Sequence, residues 1–183
     1  SPGLTCGHLI PPKLIQEHLK DTYEISYSTD VRGLKYLSSS NDKIIIIDTP
    51  KLNFNFYIPF KLIKIIFLIL QSIFYLKKEK IEKVISIGGY MSLPVIIASK
   101  ILGLKIFLLE PNLVLGQGNN FFLKFSKKIF CYSNKLANFP KKYLHKIKLI
   151  NPLVSKSFYK VKKTKKLKKN FFFLISCSSK SAK

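Results

Sequence analysis

The chain has 183 residues, 47% of them hydrophobic, and a formal net charge of +23, so it can bury a good-sized core and wholesale disorder is excluded. Of its 32 basic residues only Arg32 is arginine, which argues against a nucleic-acid partner, because base and phosphate reading relies on bidentate arginine. The lysine excess, with alanine only at Ala98, Ala137 and Ala182, is also what AT-rich coding produces, and charge alone identifies no partner.

In chain order, a loop of small residues at 3–8 leads into a helix predicted over 12–20. Strands are predicted at 24–28 and 43–48. The unbroken apolar run 44–47 suits a strand buried on both faces of a parallel sheet. A long apolar helix follows over 58–80. The stretch 57–76 approaches the ~20 residues that span a bilayer, but Lys61, Lys64, Gln71 and Lys78 form a polar stripe along it. Two central lysines are costly in a spanning helix, so a helix lying on the sheet or in an anionic membrane interface is expected.

Further strands are predicted at 83–87, 105–109, 128–132 and 146–150, with helices at 92–102 and 119–127. Such alternation predicts an α/β fold, a Rossmann-like doubly wound parallel sheet. Ligands of these sheets gather where strands end and loops enter helices. The loop at 3–8 lacks a preceding strand, so the first strand is expected upstream of Ser1. Residues 1–150 read as one domain and the lysine-dense 151–169 as a solvated linker. Residues 170–183, with a strand at 170–175, read as the start of a second, truncated domain. Cys6, Cys131 and Cys177 have neither disulfide-framework nor metal-ligand spacing, which predicts a reducing cytoplasmic setting and no metal site; no cofactor is expected.

Three loops carry chemistry. Gly3, Leu4, Thr5, Cys6, Gly7 and His8 form a small-residue loop before a helix, where backbone N–H groups can approach a phosphate. Gly88, Gly89, Tyr90, Ser92 and Pro94 follow a strand and enter a helix. Glu110, Asn112, Gly116 and Asn119 follow the next strand. In that order and context they resemble the GGTGGH, GGYxSxP and HEQNxxxGxxN segments of the MurG-type peptidoglycan glycosyltransferases, glycosyltransferase family 28. The resemblance is continuous over 86–132. Asn151 and Pro152 are similar to the family's NPVR turn, with Val154 at the arginine position. Cys177, Ser178, Ser179 and Ser181 fall in a segment similar to GGSQGA, where Ser179 matches the serine and the other three replace glycines.

The resemblance implies the N-terminal, acceptor-binding half of a two-domain GT-B enzyme with only the first strand of the second domain present. The implied reaction is inverting transfer of N-acetylglucosamine from UDP-N-acetylglucosamine to the C4 hydroxyl of undecaprenyl-diphosphate-linked muramyl pentapeptide. It implies a peripheral location on the cytoplasmic face of the bacterial inner membrane, against an anionic surface. His8 is the implied base, with Glu110 as its competitor or orienting partner. Thr5, Cys6, Gly7, Gly88, Gly89, Tyr90, Ser92, Asn112 and Ser179 are the implied substrate-binding residues. Leu4 and Cys6 stand where the family has glycine, and a Cβ there is unfavourable beside a phosphate; with most of the donor domain absent as well, a truncated part without activity of its own is expected. Two other readings stay open on the residues alone: a non-catalytic membrane-surface module, and a GT-B enzyme with another lipid-linked acceptor.

Overall fold

The computed structural model describes residues 10–30, 43–50, 58–153 and 169–174. Helix α1 (Ile10–Leu19) leads into β1 (Tyr23–Thr29), and β2 (Lys43–Ile46) into α2 (Ile58–Lys78). The chain continues through β3 (Lys83–Ser86), α3 (Leu93–Ile101), β4 (Lys105–Glu110), α4 (Gln117–Phe122), β5 (Lys128–Cys131), β6 (Ile147–Leu149) and β7 (Lys169–Leu174). All seven strands form one sheet in the order β2-β1-β7-β3-β4-β5-β6, and every pairing is parallel. The α/β doubly wound class is therefore as the sequence predicts.

The strands are apolar on both sides, and successive residues serve two different cores. Val84, Ile106, Leu108, Ile129 and Cys131 pack with Leu68 and Leu76 of α2, Val95, Ile96 and Ala98 of α3, and Phe122 of α4. Ile85, Leu109, Phe107 and Phe130 face the other way, toward Ile15 and Leu19 of α1. On that second face α1 covers the sheet incompletely. A hollow of about 290 Å³ remains there, lined by Ile15, Leu19, Lys83, Ile85, Phe107, Leu109, Phe130, Ile150 and Leu153.

The segment read as opening a second domain is β7, hydrogen-bonded to β1 on one side and β3 on the other. Ser26 and Val84 both take Phe172 as their register partner. In a doubly wound sheet the central slot usually belongs to the strand ahead of the first helix. Here a strand from the far end of the described chain holds it.

Candidate functional site

The site is built at the carboxyl ends of β3 and β4. Past β3 the chain turns sharply: Gly88 and Gly89 have φ of 92° and 84°, a region that side chains disfavour. A 3-10 turn, Tyr90–Ser92, then feeds α3, with proline in its first turn. Hydroxyls hold this loop from beneath. Ser92 Oγ donates to the Gly88 carbonyl at 3.0 Å, the Ser86 and Ser92 hydroxyls lie 3.1 Å apart, and the Gly88 N–H donates to Ser86 Oγ at 3.2 Å. Two further bonds tie the loop to Thr49, past the end of β2. Thr49 Oγ1 donates to the Met91 carbonyl at 3.0 Å, and the Tyr90 hydroxyl to the Thr49 carbonyl at 3.3 Å.

The second loop is organised around Glu110, only 2% exposed. The Asn112 N–H and Nδ2 donate to Oε1 at 3.3 and 3.0 Å. The Gly116 N–H and Asn119 Nδ2 donate to Oε2 at 2.9 and 3.0 Å. Asn119 Nδ2 also donates to the Leu109 carbonyl at 3.1 Å. The outer limb is pinned by the Leu115 N–H to the Ala137 carbonyl and the Ala137 N–H to the Leu113 carbonyl. Beside Glu110, as its register partner on β5, the buried Cys131 thiol is pushed up to about 11 by burial, reinforced by the Glu110 carboxylate.

The two loops touch. A Cβ built on Gly88 would stand 3.1 Å from the Asn119 carboxamide, and one on Gly118 would stand 2.6 Å from the Gly89 nitrogen. Of the residues expected from sequence, Gly88, Gly89, Tyr90, Ser92, Glu110 and Asn112 thus meet at one rim. Ser92 is 2% exposed, so its hydroxyl shapes the loop from within, while Asn112 is exposed on the outer side. Thr5, Cys6, Gly7, His8 and Ser179 lie outside the described residues. Sequence reasoning did not select Ser86, Thr49, Gly118 or Asn119 as site residues. The spacing Glu-x-Asn-x3-Gly-x2-Asn was the available signal for the last. Among the described residues no three of His, Cys, Asp and Glu cluster so as to hold a metal ion.

Beside this rim runs α2. Its Lys64 Nζ lies 3.9 Å from the Asp48 carboxylate past the end of β2. Ile65, Leu68, Ser72 and Leu76 are buried, whereas Phe60, Phe67 and Phe74 are 74%, 66% and 72% exposed, with Leu62, Ile63, Ile66 and Leu70 exposed among them. The stretch Pro59–Lys78 is long and apolar enough to cross a membrane. It is nonetheless docked through one face on α3 and the sheet.

Residues 3–131 match the model of the glycosyltransferase family 28 N-terminal domain. The chain belongs to glycosyltransferase family 28. This family 28 chain is 42% identical, over its whole length, to a UDP-N-acetylglucosamine–N-acetylmuramyl-(pentapeptide) pyrophosphoryl-undecaprenol N-acetylglucosamine transferase of Pelagibacter ubique, of which it covers 52%. It is 31% identical over 156 residues to the Rickettsia prowazekii protein of the same name, covering 85% of this chain and 40% of that one. The family 28 chain thus spans about half the length, or less, of these curated relatives. The crystal structure of MurG from Acinetobacter baumannii superposes with a TM-score of 0.63 at 24% identity, over 80% of this chain and 42% of that one. At that identity the likeness establishes the shared fold.

Proposed function

We propose that this chain is the acceptor-binding half of a peptidoglycan N-acetylglucosaminyltransferase. The observation that carries the reading is the Gly88–Gly89 turn at the carboxyl ends of β3 and β4. With the Gly88 N–H held by Ser86 Oγ, its positive-φ backbone and lack of Cβ atoms let a diphosphate come close to the main chain from Gly89 into the turn that opens α3. The named activity of the relatives supplies the ligand: an undecaprenyl-diphosphate-linked muramyl pentapeptide. In the proposed reaction the muramyl C4 oxygen bonds to the anomeric carbon of N-acetylglucosamine while the bond from that carbon to UDP breaks, with inversion. His8, in the family's base position, takes the hydroxyl proton. UDP-N-acetylglucosamine itself binds mainly in the other half of a GT-B enzyme, to which Ser179 would belong.

The lipid tail needs a place beside this rim, and α2 fits it. Its exposed Phe60, Phe67 and Phe74 suit the acyl boundary, and Lys61, Lys64, Lys77 and Lys78 suit anionic headgroups. This supports a peripheral seat on the cytoplasmic face of the inner membrane.

The test is binding of a short-chain polyprenyl-diphospho-muramyl peptide to the 183-residue chain, by calorimetry without vesicles. Saturable binding that is lost when the diphosphate is replaced by a neutral linker is expected. Equal binding of both compounds would overturn the reading.

A further inference from the structure

We propose that Asn119 and Glu110 act together as a positioning lock that sets the Gly88–Gly89 loop, and that neither touches the reacting hydroxyl. The inference deepens the acceptor-binding reading and rests on it for its functional consequence. Glu110 has no capacity left for a substrate: each carboxylate oxygen accepts two hydrogen bonds, all from its own loop and α4, and the residue is 2% exposed. A group in that state anchors a loop, whereas a base needs an open lone pair within reach of the proton it takes.

Asn119 transmits the anchoring across the gap. Both hydrogens of its Nδ2 are spent, on Glu110 Oε2 and on the Leu109 carbonyl. The opposite amide orientation would set its carbonyl against a carboxylate and a second carbonyl, so this one is fixed. Its Oδ1 is buried without a hydrogen-bond partner among the described residues, and the whole carboxamide lies against Gly88. Leaving a buried acceptor unmade is unfavourable. The cost is tolerated here because the flat amide fills the space a Cβ at Gly88 would take. One residue further back, Gly118 packs on the Gly89 backbone. The two glycines of the loop are thus in contact with two consecutive residues of α4, and α4 is tied to Glu110.

The experiment uses the full chain and two readouts: the backbone amide resonances of Gly88 and Gly89, and affinity for farnesyl diphosphate. Asn119→Ala and Glu110→Gln are both expected to shift the two glycine resonances and to weaken binding by about tenfold. The double variant should bind no worse than the weaker single, because one lock is broken only once. Glu110→Gln is isosteric and carries the test where Asn119→Ala does not fold. Unmoved Gly88 and Gly89 resonances in either folded variant would overturn the proposal. So would additive losses in the double variant, or loss of binding in Glu110→Gln with both resonances in place, which would mark Glu110 as touching the ligand. Absence of farnesyl diphosphate binding by the unaltered chain would instead sink the acceptor-binding reading, while the resonance shifts still decide the lock.

Discussion

Gly118 and Gly89 meet backbone to backbone: a Cβ on Gly118 would lie 2.6 Å from the Gly89 nitrogen and 3.1 Å from its Cα. Gly118 sits in α4, where alanine is ordinarily favoured over glycine by about 1 kcal/mol. The contact reverses that sign, because the atoms in the way belong to the main chain and cannot rotate aside. Gly118→Ala is therefore expected to destabilise the chain by roughly 1–3 kcal/mol, read as a lowered urea midpoint. A raised midpoint would show that α4 and the Gly88–Gly89 loop are not in contact.

Cys131 offers a chemical probe of the same layer. Its side chain is fully buried, and burial together with the Glu110 carboxylate pushes its thiol up to about 11. At pH 8 its alkylation is expected to be about two orders of magnitude slower than that of a free thiol, measured by mass spectrometry of the peptide that carries it. The sign of the linked stability effect follows. The folded value lies above the reference of 9.0, so the contribution is complete below pH 9 and is lost as pH climbs toward 11. Cys131→Ala should flatten that stretch of the stability profile relative to the unaltered chain.

The strands were legible because runs such as Val84 to Ile87 and Ile106 to Leu109 are apolar on both faces, which few other structures tolerate. The rim was legible because two glycines followed by Tyr90 and Pro94 already specify a turn into a helix. Three things were not. Helix α4 was expected over 119–127 but spans Gln117–Phe122. Gly118 is a poor helix former, and only the tertiary tie from Gly116 to Glu110 starts the helix earlier. Ser92 reads the same in sequence whether its hydroxyl faces a ligand or the Gly88 carbonyl, and only the fold decides. The run at 170–175 announces a strand, but a local pattern carries no address for its partners, β1 and β3.

The outward face of α2 can be tested apart from the acceptor site. Phe60, Phe67 and Phe74 are mostly exposed, so replacing all three with serine leaves the packed face of Ile65, Leu68 and Leu76 intact. Stability is expected to change by no more than about 0.5 kcal/mol per site. Sedimentation with phosphatidylglycerol vesicles should fall by at least about 100-fold in partition coefficient, since each buried phenyl contributes ~1.5–3 kcal/mol. Unchanged sedimentation would mean that lysines alone, or another surface, meet the membrane.

The place of β7 between β1 and β3 can be tested directly. Phe172 is the register partner of Ser26 on one side and of Val84 on the other, so neither edge of the strand faces solvent. Proline there removes a ladder N–H and imposes its ring on a central strand, where it is essentially never accommodated. Phe172→Pro is expected to cost about 3 kcal/mol or more and to lower the unfolding midpoint of the whole sheet, followed by circular dichroism at 222 nm. Were residues 170–175 instead the first strand of a separate unit, the same substitution would leave the unfolding of the β1–β6 sheet unchanged. Hydrogen exchange gives an independent reading: amides of 170–174 should be protected to the same degree as those of β3, because a central strand opens only when its neighbours do.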